Sequence, residues 1–143
     1  MMTIPGTGYV ADRHELGVID TCVYLDLVDL DPEKLPVVHH ITTVTMAELH
    51  QGVVLAKDPL TKAARTEDVA AAIVHYSPLP FDADASTRFG SLAALTVAAK
   101  RDPRPRKMDL MIAAIASSRN LPLYTRNAKD FKGLENLLEV VEV

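Results

Sequence analysis

Short apolar runs rich in β-branched residues alternate along this chain with longer stretches of helical periodicity, and that alternation leaves few ways to fold it. Gly17-Val18-Ile19-Asp20, Val37 to Val44, Leu121 to Thr125 and Leu137 to Val143 read as strands, with Leu79-Pro80-Phe81 as a shorter one. Helices are expected over Val23 to Leu30, from Thr45 through Met46, Leu49 and Val53, over Thr61 to His75, from Asp82 or Asp84 to Ala99, and over Met108 to Ser118. Asp31-Pro32 and Asp58-Pro59 supply the breaks. Parallel strands need crossover helices, so the expected class is α/β, a twisted parallel β-sheet flanked by helices on both faces. A chain of 143 residues, 48% hydrophobic, matches one compact domain with one continuous core, and a second domain would be crowded. Residues 1–16 read as an extension ahead of the first strand, leaving 17–143 as the domain.

Several function classes drop out early. Cys22 is the one cysteine, which excludes an internal disulfide framework and a thiolate-rich zinc site and agrees with a reducing cytoplasm. His39-His40 lacks the spacing of a zinc pair, and His14, His50 and His75 stand alone. There is no G-x-x-x-x-G-K-[ST] loop and no G-x-G-x-x-G turn. No apolar run reaches membrane-spanning length, and the stretch from Met1 to Gly17 has no signal-peptide core. Ala70, Ala71, Ala72 and Ile73, and the stretch from Leu92 to Ala99, suit a helix core better than a partner surface.

Charge is unevenly spread. The net value of −4 argues against general nucleic-acid binding, yet residues 1–99 hold 6 Lys and Arg against 13 Asp and Glu, while residues 100–143 hold 9 against 6. Lys100, Arg101, Arg104, Arg106 and Lys107 crowd a proline-broken loop just upstream of Asp109. A solvated loop is the plain reading. Its position beside Asp109 gives the second, a grip on phosphates.

Four acids, Asp20, Glu48, Asp109 and Asp130, stand where apolar segments meet turns or begin helices. If the strands before Asp20 and Asp130 are parallel neighbours, both carboxylates reach the carboxyl edge of the sheet, where open α/β folds bind ligands. Carboxylates so gathered must take up protons, lie apart or share a hard cation. Each also has a local explanation. Thr45-Met46-Ala47-Glu48 matches the T-x-x-E capping box, Asp20 suits an N-cap, Asp109 suits a helix first turn, and Asp130 with Asn127 suits a turn.

Taken together, four stretches resemble the PIN-domain ribonucleases, and within them the VapC toxins of toxin–antitoxin pairs. They are Val18-Ile19-Asp20-Thr21, Thr45-Met46-Ala47-Glu48-Leu49 with Gly52, Asp109-Leu110-Met111-Ile112-Ala113-Ala114, and Leu123 to Phe131 with its T-R-N-x-x-D-F pattern. The resemblance spans nearly the whole chain from Gly17 onward. It implies that Asp20, Glu48, Asp109 and Asp130 gather around one or two Mg²⁺ or Mn²⁺ ions, with Thr21, Thr125 and Asn127 in support. It implies further a homodimer, a cognate VapB-like antitoxin that silences the groove, and structured RNA as substrate, cut endonucleolytically to leave a 5′-phosphate. Cys22 departs from the family's usual Ser or Asn, and is expected to be a small buried hydrophobe or a weaker hydrogen-bond donor.

The chemistry suits such a site. Oxygen ligands favour Mg²⁺ and Mn²⁺, and a bound water made more acidic attacks phosphorus in line, with no histidine or serine nucleophile required. Asp20 and Asp109 are assigned as direct ligands, Glu48 as ligand or orienter of the water, and Asp130 as support for a second ion. The basic loop, with Arg126 and Lys129, is assigned to RNA phosphates. Two rivals are a PIN domain that binds RNA or antitoxin without cutting, and a phosphoacceptor receiver domain. The receiver needs an adjacent acid pair at its first strand, whereas Asp20 lies between Ile19 and Thr21.

Overall fold

The computed structural model describes residues 14–143, so the extension expected over 1–16 lies, up to residue 13, outside the described residues. Four short strands, β1 (Leu16–Ile19), β2 (Val38–His40), β3 (Leu123–Thr125) and β4 (Val140–Glu142), form one sheet in the order β2-β1-β3-β4, every neighbouring pair parallel. Register sets Val18 against Leu123 and Ile19 against Tyr124. Successive side chains on a strand point to opposite faces. Val18 and Leu123 therefore join one buried cluster, while Ile19 and Tyr124 join another.

Five helices cover the two faces: α1 (Thr21–Leu25), α2 (Thr43–Val54), α3 (Pro59–His75), α4 (Ala83–Ala98) and α5 (Lys107–Ser118). The first cluster is built on α4 and α5, through Ala85, Leu92, Leu110, Ile112 and Ile115. The second takes Val23 and Tyr24 from α1, Leu49 from α2 and Val69 and Ala72 from α3. From Ile112 to Ser117 every residue of α5 is buried, as expected of a helix enclosed on all sides, and its alanines let neighbours approach closely. The aspartate in its first turn is thereby fixed in place.

The strands are shorter than the apolar runs that announce them, and several helix boundaries move. Val37 to Val44 splits into a three-residue strand and the start of α2, because Thr42 is the N-cap, its Oγ1 accepting the Thr45 N–H at 3.0 Å. The expected first helix stops at Leu25 and continues as a 3₁₀ turn, Leu27–Asp29, from which Leu27 and Leu30 still reach the second cluster. Apolar spacing alone does not separate those two geometries. Leu79-Pro80-Phe81 contributes a single parallel bridge, Leu79 to Thr42, since Pro80 has no N–H to extend a ladder. Helix α3 begins at Pro59, before Thr61, with Asp58 capping Thr61 at 2.8 Å, and Asp82 caps α4 at Ala85. Helix α5 begins one residue before Met108, β3 is confined to Leu123–Thr125, and the last strand to Val140–Glu142. On α3, Ala72 is buried, but Ala70, Ala71, Ile73 and Val74 are exposed, so the alanine-rich stretch is only partly core. Among the described residues, no helix is long and apolar enough to cross a membrane.

Gly17 shows how tightly β1 is held. A Cβ there would stand 2.8 Å from Tyr124 Cε1 and 3.0 Å from Pro36 Cγ, and Tyr124 is itself buried. Gly17→Ala is expected to cost about 1–3 kcal/mol of stability through this overpacking, measured by denaturant titration at unchanged slope.

Candidate active site

Parallel pairing puts the carboxyl ends of β1 and β3 side by side, and the site forms there. Asp20 follows β1 directly; its N–H continues the ladder to Tyr124 O at 2.9 Å. Its side chain, on a residue 7% exposed, accepts three hydrogen bonds: the Thr21 N–H at 2.9 Å on Oδ1, and the Thr125 hydroxyl at 2.9 Å and Cys22 thiol at 3.6 Å on Oδ2. Burial raises its pKa above the usual aspartate value, and these hydrogen bonds work the other way.

Glu48 does not cap α2. Thr45 lies inside the helix, and the Glu48 Oε1 instead accepts the Thr21 hydroxyl at 2.6 Å, with Thr21 Oγ1 also 3.0 Å from Thr45 Oγ1. Burial raises the Glu48 pKa, opposed by the Thr21 bond. Asp109 sits in the first turn of α5, where burial first and then the charges of Asp20, Glu48 and Asp130 push its pKa up to about 6, despite the opposing pull of Arg106. Asp130 lies in a 3₁₀ turn, Ala128–Phe131, after β3, where the Arg106 Nη1 meets its Oδ1 at 3.3 Å.

Asp20, Thr21, Cys22, Leu25, Glu48, Asp109, Asn127 and Asp130 line a single cavity of about 290 Å³. A larger cleft of about 530 Å³ lies at the amino ends of β3 and β4, away from these acids, and the two glutamates on its wall are engaged elsewhere, Glu139 with His14 at 2.7 Å and Glu135 with the Gly133 N–H at 2.8 Å. The acid cavity is thus set apart by its chemistry, not by its size.

Thr125, fully buried, is the hinge of the support. Its hydroxyl donates to Asp20 and accepts the Asn127 N–H at 3.1 Å. Asn127 thus supports through its backbone, while its side chain lines the cavity. Cys22 is half-buried, packs against the second cluster and donates weakly to Asp20, so it fills both expected roles. The Thr21–Thr45 contact and the seat of Arg106 on Asp130 were not expected. Thr45 was visible only as a cap, and nothing in the basic run separates Arg106 from its neighbours.

The basic residues do not act as one patch. Arg104 closes its fork on Asp102, Arg126 pairs with Asp26 at 2.9 Å, and Arg101 Nη1 donates to Lys129 O at 2.9 Å. Among the described residues, Lys100, Lys107 and Lys129 take part in no ion pair, and Arg106 is the cation that faces the acids.

An all-oxygen donor set in which burial first, and then three like charges, hold one aspartate near pH 6 fits a hard divalent cation, which would offset the part that repulsion adds. Among the described residues no three acids are close enough to form a ready-made cage. That also fits Mg²⁺, which keeps several waters and takes only one or two carboxylates directly. Thr125→Val is expected to weaken divalent-cation binding about 10- to 100-fold by releasing Asp20, with recovery in Thr125→Ser, as read by Mn²⁺ calorimetry.

No protein-family model matches the chain. Ribonuclease VapC5 of Mycobacterium tuberculosis is 34% identical over 127 residues, which cover 87% of this chain and 91% of that protein. The crystal structure of VapBC-5, a member of the VapBC family of toxin–antitoxin systems from the same organism, has a chain that superposes with a TM-score of 0.80 at 33% identity, covering 90% of this chain and 99% of its own. A chain of VapBC2 from Rickettsia felis, solved with a promoter DNA fragment, matches the fold at a TM-score of 0.68 and 21% identity, covering 90% of this chain and 98% of its own.

Proposed function

Because the chain belongs to the VapC family of PIN-domain ribonucleases, we propose that it is the toxin of a toxin–antitoxin pair, an endoribonuclease dependent on Mg²⁺ or Mn²⁺. Residues 17–143 are the nuclease unit, its substrate is cytoplasmic RNA, and its partners are a VapB-like antitoxin and a second copy of the chain. The observation that carries this reading is the convergence of Asp20, Glu48, Asp109 and Asp130 on one cavity at the carboxyl edge of the sheet.

Asp20 and Asp109 would hold one ion, with Glu48 beside it and Asp130 supporting a second. A divalent cation bound there supplies an acidified water and offsets charge on the departing oxygen. The chain's own groups set the geometry. Thr21 and Thr125 fix Asp20 from both oxygens, and Thr21 pins Glu48 Oε1, leaving Oε2 to orient the attacking water. Arg106, bound to Asp130 through one nitrogen, is placed to meet a phosphate oxygen, while Lys100, Lys107 and Lys129 would hold phosphates further along the strand. Arg101, Arg104 and Arg126 contribute less, being tied to neighbouring groups. Val54, Leu55 and Leu60, all well exposed where α2 meets α3, offer apolar surface to a protein partner.

The test is to incubate purified protein with total cellular RNA and Mg²⁺ or Mn²⁺ and map new 5′ ends. Discrete cuts bearing 5′-phosphates, abolished by a chelator, are expected. Cuts that persist under chelation contradict the mechanism, and the absence of cuts favours a binding module.

A further inference from the structure

Beside the acid cavity, and sharing Thr21, Leu25 and Glu48 with it, lies a pocket of about 210 Å³ extending between α2 and α3. Its floor is apolar, with Leu25 and Leu49; its rim carries Arg65 and Asp68. These two stand three residues apart on α3, a spacing that places both on one helix face. Among the described residues they form no ion pair with each other. Arg65 is steadied from one side, Nη1 donating to Gly52 O at 2.7 Å, and keeps its other donors. The Asp68 carboxylate has no hydrogen-bond partner among the described residues, although its backbone oxygen accepts the Tyr24 hydroxyl at 2.7 Å.

We propose that this pocket takes one unpaired base of the RNA beside the cut and selects guanine through Asp68 and Arg65. The inference rests on the ribonuclease reading, since continuity with the acid cavity is what brings a nucleotide here. Single-stranded RNA is read by splaying out bases and bonding their edges. Guanine offers acceptors at O6 and N7, the pair that arginine bonds best, and donors at N1 and N2, which suit an acceptor-only carboxylate. Adenine reverses the pattern: its N6 donor would face the guanidinium and its N1 acceptor the carboxylate. Uracil matches with O4 and N3–H but sets its O2 acceptor against Asp68 in place of the guanine N2 donor. The apolar floor accepts the face of any base, so discrimination falls to the two charged side chains.

Binding is measured by fluorescence anisotropy with a labelled short oligoadenosine, the same strand carrying one guanosine, and the same strand carrying one inosine, which lacks the N2 amine. Ca²⁺ is the supporting cation. The guanosine strand is expected to bind roughly tenfold tighter than oligoadenosine, with inosine between them. Asp68→Asn should erase the guanosine–inosine difference, and Arg65→Ala the preference over adenosine, with melting temperature and Mn²⁺ binding unchanged in both. Equal binding of the three strands by the unaltered protein overturns the proposal, as do variants that keep the original ratios. Variants that lose silencing by the antitoxin while keeping the base preference overturn it too, and give the pocket to a peptide. Cleavage mapping stands apart from this test: a protein that prefers guanosine yet never cuts contradicts the ribonuclease reading and leaves the pocket as proposed.

Discussion

Asp20→Asn is expected to lower RNA cleavage by about 10³-fold or more while changing the stability of the cation-free fold little. Two effects on stability oppose each other. The hydrogen-bond partners of the Asp20 carboxylate are the Thr21 N–H, the Thr125 hydroxyl and the Cys22 thiol. An asparagine keeps the Thr21 bond through its oxygen and turns its NH₂ group to Thr125 and Cys22, which must rotate to accept from it. Against that loss stands the relief of a buried charge, since burial raises the Asp20 pKa above the usual aspartate value. The net change is expected to stay within about 1 kcal/mol. The loss of rate is larger, because charge stabilisation by a site-bound cation is worth several kcal/mol and each tenfold in rate is about 1.4 kcal/mol. Cleavage assays and a denaturant titration on the same preparation check both halves.

Asp109→Asn is expected to abolish cleavage just as fully while making the cation-free protein more stable. The sign follows from the pKa. Asp109 titrates at about pH 6 in the folded chain against about 4 for an unperturbed aspartate, so the folded state holds its proton more tightly than the unfolded state does. The stability this confers is fully present below about pH 4 and is lost as pH rises through 6. At neutral pH the ionised group is a liability created by burial and by three like charges. Removing it should raise stability by roughly 1 kcal/mol, discounted for the part of Asp109 that water still screens, and raise the melting temperature by a few degrees. The difference in stability between parent and variant should vanish towards pH 4. Cleavage by the parent should be lost towards acid pH as Asp109 takes up its proton, with the midpoint moving lower as the divalent-cation concentration rises. A variant less stable at pH 7, or a difference that does not depend on pH, contradicts the electrostatic account. The contrast with Asp20 is one of degree, since burial raises both carboxylates but hydrogen bonds from Thr125 and Thr21 offset it at Asp20.

The alternation of apolar runs and helical stretches made the parallel sheet legible, because a buried parallel strand has little freedom in sequence. Helix α5 was placed to within a residue, since its small apolar residues admit one reading. Helix α2 was misread at its start because Thr42 and Thr45 are equally good caps locally, and the choice is made by the bridge between Thr42 and Leu79, a contact distant in sequence. The same error hid the role of Glu48, whose partner Thr21 lies on another helix. Asp20, Asp109 and Asp130 were visible from their places after β1, in the first turn of α5 and in the turn after β3, whereas Glu48, in the middle of α2, was visible through the family resemblance. The seat of Arg106 on Asp130 and the pocket at Arg65 and Asp68 were not, because in sequence these are ordinary charges on a loop and on an exposed helix. What the pattern carried was each group's place in an element; what it lacked was the distance between elements.

Calorimetric titration of the purified protein with Mn²⁺ at pH 6 and pH 7, alongside Asp20→Asn and Asp109→Asn, tests the shared carboxylate site most directly. The account predicts one or two ions bound by the parent, proton release that is larger at pH 6 than at pH 7, and loss of binding in both variants. Parent-like binding in either variant, or no binding by the parent, would contradict it.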